Sequence, residues 1–185
     1  MCTANVCRSP MAEAILLGLL ERRHIDVEVM SAGILVGGQP MDADALATVA
    51  RDRPHMSVHR SQSLGTESIE AADLVLCMER HHVREVVVRA PNAWAYTFTL
   101  KELVRRGEAV GPRPPGISIE TWLVGAAEGR TRRDLLGASD ADDIADPIGG
   151  PLAVMEATAD LLRDRCERLA DLLFPSYLGE GPSPG

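Results

Sequence analysis

The chain has 185 residues, a formal net charge of −8 at pH 7 and 45% hydrophobic residues. The length fits one domain, the apolar content suffices for a sizeable core, and the negative charge argues against a nucleic acid or an anionic membrane as the main partner. The sequence contains neither an apolar run long enough to span a bilayer nor a signal-peptide pattern at its start. We therefore expect a cytoplasmic protein.

The spacing of apolar residues predicts alternating helices and short strands. An amphipathic helix is expected over 12–23 and a short alternating strand over 25–30. The apolar run over 73–78 is typical of a strand that is covered on both faces, which implies a parallel sheet. Further helices are predicted over 41–50, 66–71, 80–89, 100–106, 117–128 and 152–173, and a further strand over 93–98. This alternation predicts a single-domain α/β fold.

Residues 1–175 are predicted to form that one domain. Composition turns toward Gly, Pro and charge after Gly107, and we interpret 107–145 as a long loop or insertion. Its last part, 131–145, carries four aspartates and is expected to be an exposed acidic loop. Residues 176–185 are expected to be a disordered tail.

The first ten residues form the most informative stretch of the chain, Met1-Cys2-Thr3-Ala4-Asn5-Val6-Cys7-Arg8-Ser9-Pro10. The slim residues that follow Cys2 can curl so that their backbone N–H groups converge on an anion, beside the N-terminus of the first helix. The planar guanidinium of Arg8 can bind two phosphate oxygens while the Cys2 sulfur faces the phosphorus. The same positive field favours the thiolate form of the cysteine, and hence a nucleophile. The predicted phosphate-binding residues are Thr3, Ala4, Asn5, Val6, Cys7, Arg8 and Ser9.

A cysteine six positions before an arginine is common by chance, so the intervening residues carry the argument. Asn5 tolerates the left-handed backbone that a tight loop needs. Ser9 can cap the helix and donate a hydrogen bond to the thiolate.

The string C-T-A-N-V-C-R-S-P-M-A-E closely resembles the signature of the low-molecular-weight protein tyrosine phosphatases of bacterial type. The order of later landmarks agrees with that resemblance: Ser31-Ala32-Gly33, His59-Arg60-Ser61, the apolar run 73–78, and Asp146-Pro147 before the last helix. The resemblance implies a four-stranded parallel sheet in the order 2-1-3-4, flanked by helices, with the phosphate loop after strand 1.

The resemblance also implies an activity, the hydrolysis of phosphate monoesters through a cysteinyl-phosphate intermediate. Cys2 is then the nucleophile, Arg8 binds the phosphate, and Asp146 is the general acid that protonates the leaving group. Asp-Pro is also common in turns, so a structural role as a turn or helix cap is the alternative for Asp146.

One departure from the family pattern concerns the central strand. In the family a buried strand leads into the nucleophilic cysteine, whereas here only Met1 precedes Cys2. We expect the natural chain to start upstream of Met1, and a chain that lacks strand 1 to fold poorly and to have little activity.

The other cysteines and the histidines do not suggest a cofactor. The four cysteines form no C-x2-C pair, and the His55/His59 and His81/His82 pairs lack further ligands, so neither a metal nor another cofactor is predicted. Cys7 is either a small buried residue or a redox partner that forms a reversible disulfide with Cys2.

The expected substrate is a phosphotyrosine protein or a small aryl phosphate. Ile34, Leu35 and Ile148 occupy places where phosphotyrosine-preferring members of the family tend to carry aromatic residues, and aliphatic walls still suit a flat ring. Val6 stands where the related protein-arginine phosphatases tend to have Thr, which favours phosphotyrosine. Two alternatives stay open, a thiol-dependent arsenate reductase and a non-catalytic phosphate-binding relative. The sequence sets neither the physiological substrate nor the oligomeric state.

Overall fold

The computed structural model describes residues 1–175, so the predicted tail 176–185 lies outside the described residues. The α-helices of this part are α1 (Arg8–Arg22), α2 (Ala43–Val49), α3 (Thr66–Glu70), α4 (Arg80–Arg89), α5 (Leu100–Val110), α6 (Ile119–Ala126) and α7 (Leu152–Leu173). The strands are β1 (Val75–Cys77) and β2 (Thr97–Thr99), and short 3₁₀ helices span Pro54–Val58, Pro91–Tyr96 and Arg132–Leu135. Among these helices, none combines the length and apolarity needed to cross a bilayer.

The predicted α/β architecture is present, and two helices have the predicted bounds. Helices α4 and α7 begin and end where the sequence pattern places them. Helix α5 is capped by Thr99, whose hydroxyl accepts from the Glu102 N–H at 3.1 Å. It continues past its predicted end at Arg106, because Gly107 is needed for packing and not for a turn: a Cβ there would lie 2.7 Å from the Trp122 ring of α6.

Two predicted strands are wrong in whole or in part. Residues 25–30 do not form a strand, and across the described chain residues 26–31 make no backbone hydrogen bond. The segment 93–98 is mostly a 3₁₀ helix that starts at Pro91, and only its end joins the sheet as β2. A strand forms only where its backbone groups can bond to a neighbouring strand. The alternation of apolar and polar residues does not show whether such a neighbour exists.

The sheet of the described residues is a parallel pair, in which Val75 lies opposite Thr97 and Cys77 opposite Thr99. Single parallel bridges extend it on the other side, from Cys2 to Gly33 and from Gly33 to Ser63. The four-stranded sheet that the resemblance implies is therefore reduced to two strands and these isolated bridges.

Met1 lies beside β1, next to the bridge that Cys2 makes. Its terminal ammonium donates to the Leu76 carbonyl, and its own carbonyl accepts from the Met78 N–H at 3.1 Å. The first two residues thus stand between the segment at Gly33 and β1.

A cavity of about 600 Å³ continues from this point between residues 27–32 and residues 71–76. Apolar side chains of α1, α3 and α7 line much of the rest, including Leu16, Ile69 and Leu169.

The main core is built around α7, which packs against α1, α2 and α5. Its buried residues recur every three or four positions: Met155, Ala159, Leu162, Cys166 and Leu169. A second apolar group surrounds β1 and α4, with Val83 and Val86 buried. These layers hold the N-terminus of α1 and the carboxyl ends of β1 and β2 in fixed relation, and the candidate site lies there.

Candidate active site

The amide of Asn5 holds the loop 2–8 in shape. Asn5 has φ 56°, the left-handed conformation predicted for it, and it is fully buried. Its Nδ2 donates to Ser9 Oγ at 2.9 Å and to Ser31 Oγ at 2.7 Å, and its Oδ1 accepts from the Gln62 N–H at 2.8 Å. Since a buried amide with all these partners has little freedom, the loop is rigid before any ligand binds.

The segment after Ser31 packs directly on this loop. The N–H groups of Ile34 and Leu35 both donate to the Thr3 carbonyl, at 2.7 and 3.0 Å. A Cβ on Gly33 would lie 2.8 Å from the backbone nitrogen of Asn5 and from the Thr3 oxygen, so only glycine allows this approach. This close approach explains why the S-A-G landmark has glycine at its last position.

The H-R-S landmark contacts the same loop. His59 Nε2 donates to the Asn5 carbonyl at 2.9 Å. Ser61 Oγ accepts from the Gln39 N–H at 2.9 Å, which holds the neighbouring turn. The His59 contact ties a loop that is distant in sequence to the phosphate loop, and the Ser61 contact ties that same loop to the turn at Gln39.

The candidate nucleophile faces a hydroxyl at the start of α1. Cys2 Sγ lies 3.0 Å from Ser9 Oγ, and Cys2 is 3% exposed. The prediction that Ser9 caps the helix is wrong, because α1 begins at Arg8 and Cys7 occupies the cap position without a side-chain hydrogen bond. The Ser9 hydroxyl instead forms a hydrogen bond with the Cys2 sulfur. The free N–H groups and the dipole of the helix N-terminus favour an anion at this place.

Arg8 brings the predicted general acid to the loop. Its guanidinium is buried, and its Nη2 donates to Asp146 Oδ2 at 2.8 Å. Its Nη1 donates to the Ile144 carbonyl at 2.7 Å and to Glu79 Oε1. A phosphate bound to Arg8 would compete with the two carboxylates for these donors.

The loop that carries Asp146 is anchored by a buried aspartate. Asp142 is 3% exposed and pairs with Arg80 at 2.7 Å and with Arg105 at 2.9 Å, so the expectation of an exposed acidic loop is wrong at this residue. The N–H of Ile144 also donates at 2.7 Å to the backbone just after β1. The two anchors fix the position of the acid.

Glu79 and His82, at the start of α4, are site residues that the sequence analysis missed. Glu79 binds Arg8 through its carboxylate, and its N–H donates to His82 Nδ1 at 3.1 Å. His82 Nε2 lies 3.0 Å from Thr3 Oγ1. Their signal was their place just after a predicted parallel strand, since the carboxyl ends of such strands share one edge of a sheet.

The ligand atoms of Glu79, His81 and His82 lie within 4.8 Å of one another, a spacing that could hold a metal ion. These atoms already bind protein groups. Glu79 uses its two oxygens for Arg8 and for His81 Nδ1, the latter at 3.2 Å, and both ring nitrogens of His82 have partners. The short distances between these atoms are therefore accounted for by a hydrogen-bond network, and we assign no metal to the three residues.

Cys7 is a buried thiol. Its Sγ lies 3.4 Å from Met155 Sδ. Burial, reinforced by the charges of Asp146 and Asp42, raises the pKa of the Cys7 thiol to about 12. Burial likewise raises the pKa values of Cys77 and Cys166 to about 12. All three thiols are therefore protonated and unreactive near neutral pH.

The protein thus has an α/β fold in which one loop brings a cysteine and an arginine to a helix N-terminus, an arrangement that suits an oxyanion. The profile of the family described as low molecular weight phosphotyrosine protein phosphatase matches residues 1–111. The chain belongs to this family.

One of the similar proteins extends the match over almost the whole chain. A protein-arginine-phosphatase of Geobacillus stearothermophilus is 33% identical over 174 residues, which cover 94% of this chain and 93% of the relative. A probable low molecular weight protein-tyrosine-phosphatase, EpsP, of Ralstonia solanacearum is 38% identical over 104 residues, 56% of this chain and 69% of the relative.

A solved structure shares the fold as well. The crystal structure of a low molecular weight protein tyrosine phosphatase from T. tengcongensis matches with a TM-score of 0.69 and 30% identity, covering 93% of this chain and 95% of that one.

Proposed function

We propose that the chain is a protein tyrosine phosphatase that hydrolyses phosphate monoesters through a cysteinyl-phosphate intermediate. The observation that carries the proposal is the convergence, on one buried loop, of the Cys2 sulfur with a hydroxyl and of the Arg8 guanidinium with the Asp146 carboxylate. These are a nucleophile, an oxyanion binder and a proton donor, which are the groups that the reaction needs.

In the first step the Cys2 thiolate attacks phosphorus in line with the leaving oxygen. The S–P bond forms as the P–O bond to the alcohol or phenol breaks, and Asp146 gives its proton to that oxygen. The loop N–H groups and Arg8 hold the equatorial oxygens as negative charge spreads over them.

In the second step a water molecule hydrolyses the cysteinyl phosphate. Asp146, now ionised, takes a proton from the water, and the oxygen displaces sulfur at phosphorus. Inorganic phosphate leaves, and the Cys2 thiolate and the protonated acid are restored. Ser9 Oγ, 3.0 Å from the sulfur, stabilises the thiolate as it leaves.

Phosphotyrosine is the substrate that the walls of the site support. Leu35 and Ile148 are 54% and 47% exposed. The backbone N–H of Leu35 bonds to the Thr3 carbonyl of the loop at 3.0 Å, and that of Ile148 bonds to the Asp146 carboxylate at 3.2 Å, so both residues lie next to groups of the site. Such aliphatic surfaces suit a flat ring. A cytoplasmic phosphotyrosine protein or a small aryl phosphate remains the expected substrate.

Phosphoarginine is a second candidate substrate. It is favoured by the protein-arginine-phosphatase that matches 94% of the chain at 33% identity. The two candidates are separated by turnover of matched peptides that carry phosphotyrosine or phosphoarginine. A kcat/KM for the arginine peptide that exceeds the value for the tyrosine peptide would replace the proposed substrate.

The alternative of an arsenate reductase has weak support. That chemistry needs a second reactive thiol, whereas Cys7, Cys77 and Cys166 are buried thiols whose pKa values are raised. The non-catalytic alternative has no support from the site, where Cys2, Arg8 and Asp146 are all present and adjacent.

One experiment tests the proposed activity against both alternatives. The protein is assayed with p-nitrophenyl phosphate and, separately, with arsenate plus a thiol. We expect turnover of the ester, none in Cys2→Ser, and no thiol consumption with arsenate. Tight phosphate binding without turnover would favour the non-catalytic alternative.

We also propose that the sheet is completed in the order 2-1-3-4 when a strand precedes Met1. The bridge of Cys2 to Gly33 and the hydrogen bonds of Met1 to Leu76 and Met78 support that order, and the cavity of about 600 Å³ provides the space. A strand there would pair with the backbone of residues 26–31, which bonds to no other backbone of the described chain.

The test adds six residues of an apolar β-forming sequence before Met1 and measures urea unfolding. A serine-glycine extension of equal length is the control. We expect a higher midpoint with the apolar extension alone. Equal urea midpoints for the two extensions would contradict the proposal that an added strand occupies the cavity.

A further inference from the structure

His82 joins the first turn of α4 to the phosphate loop. Its imidazole is fully buried, its Nδ1 accepts from the Glu79 N–H at 3.1 Å, and its Nε2 lies 3.0 Å from Thr3 Oγ1. A neutral imidazole has one donor nitrogen and one acceptor nitrogen. Since Nδ1 accepts, Nε2 carries the hydrogen and donates to the Thr3 hydroxyl.

The ring contributes no charge to the site. Burial, followed by the charges of His81, Arg8 and the terminal ammonium, lowers the pKa of His82 to about 2. The link to Thr3 is therefore a neutral hydrogen bond whose direction is set by the helix backbone.

Thr3 follows the nucleophile directly, and it is held on two sides. Its carbonyl accepts from Ile34 and Leu35, and its hydroxyl accepts from His82. The other end of the loop is held by the same turn of α4, where Glu79 binds Arg8. One helix turn thus contacts both ends of the loop.

We infer that His82 is a positioning residue for phosphate transfer, which fixes the loop through Thr3 so that Cys2 and the loop N–H groups face the phosphorus. The inference rests on the proposed function, because it assigns a role within the same loop. Catalytic groups have to be held within about 0.5 Å of their productive places, and a buried hydrogen bond to the neighbouring residue supplies such a constraint.

Two substitutions separate the two bonds of the ring. In His82→Asn the side-chain oxygen can replace Nδ1 as acceptor for the Glu79 N–H, but the amide is too short to reach Thr3. In His82→Gln the amide nitrogen can replace Nε2 as donor to Thr3, whereas the acceptor for the helix is lost. His55→Asn, at an exposed position of the 3₁₀ helix Pro54–Val58, is the matched control.

The expected result is that stability and activity diverge. Relative to the wild type, His82→Asn keeps most of its urea midpoint and loses about tenfold or more in kcat/KM for p-nitrophenyl phosphate, since one buried hydrogen bond is lost at the loop. His82→Gln has the lower midpoint but keeps kcat/KM within about threefold, and His55→Asn changes neither quantity. In the His82→Asn background, Thr3→Val causes no further loss, because both changes remove the same bond.

A purely structural role predicts instead that activity falls in step with the midpoint in both His82 variants, and that result would overturn the inference. So would a wild-type kcat/KM in His82→Asn. The rate of Cys2 alkylation by iodoacetate, with and without inorganic phosphate, gives a readout that does not need turnover. A wild-type protein that binds phosphate but does not turn over the ester would refute the proposed function, while the alkylation rates would still test the role of His82.

Discussion

The replacement Asp146→Asn separates the chemistry of this residue from its structural contacts. Arg8 Nη2 and the Ile148 N–H donate to different oxygens of Asp146, so the single oxygen of asparagine can keep one of these two hydrogen bonds, and the side chain has no acidic proton to transfer. The carboxylate is 45% exposed, so the ion pair that is lost contributes no more than about 1 kcal/mol to stability. General acid catalysis contributes about 10²- to 10⁴-fold to a rate.

We therefore expect kcat for phenyl phosphate to fall about 10²-fold or more, while kcat for p-nitrophenyl phosphate falls less than about tenfold. The reason is that p-nitrophenolate leaves readily without a proton, whereas phenolate does not. The assay compares kcat over a series of aryl phosphates with leaving groups of increasing basicity, and the slope should become steeper in the variant. Asp140→Asn, an exposed aspartate on the same loop, is the control and should keep the wild-type slope.

Equal losses for all leaving groups would refute the role of Asp146 as general acid. Such a result would leave it the alternative role of holding Arg8 and the turn at Pro147.

Three further predictions follow from single contacts. Ser9→Ala removes the hydroxyl that lies 3.0 Å from Cys2 Sγ. We expect turnover to be about tenfold slower and alkylation of Cys2 at pH 6 to be slower as well. An unchanged alkylation rate would contradict the role of the hydroxyl. After mild peroxide oxidation of Cys2, the rate of disulfide formation with Cys7 should rise about tenfold per pH unit between pH 7 and 10, because the raised pKa of Cys7 leaves little thiolate at the lower pH values. Thiol titration over time measures this rate, with Cys7→Ala as the control. A rate that does not depend on pH would contradict the prediction. Burial tends to raise the pKa of Asp142, but hydrogen bonds from Arg105 and Arg80 outweigh burial and lower this pKa. The ionised carboxylate therefore stabilises the fold above about pH 4, and this contribution to stability is lost as the pH falls further. Asp142→Asn should then lower the free energy of unfolding by about 2 kcal/mol at pH 7 and by less at pH 3, as urea unfolding would show; an equal loss at both pH values would contradict the assignment.

The sequence predicted the parts of this protein whose cause is local. The bounds of α4 and α7 follow from the spacing of their apolar residues, and Thr99 caps α5 because its hydroxyl needs only the next turn of backbone. The left-handed backbone of Asn5 is equally local, since few other residues adopt that conformation readily.

The errors lie where a partner in space decides the outcome. Residues 25–30 have the alternation of a strand but no neighbouring strand to pair with, and the alternation cannot report that. Asp142 has the composition of a surface loop around it, yet Arg80 and Arg105 approach from other elements and bury it.

The candidate site divides in the same way. The order of Cys2, Asn5, Arg8 and Ser9 by itself was enough to predict an anion-binding loop with a nucleophile, because the spacing within one tight loop is fixed by the covalent chain. Only the tertiary structure decided that Arg8 meets Glu79 and Asp146, and that His82 meets Thr3, since these contacts join groups that are more than 70 positions apart in the chain. Such contacts depend on how the carboxyl end of β1 and the start of α7 are packed around α1, which is a property of the assembled core and not of any single segment.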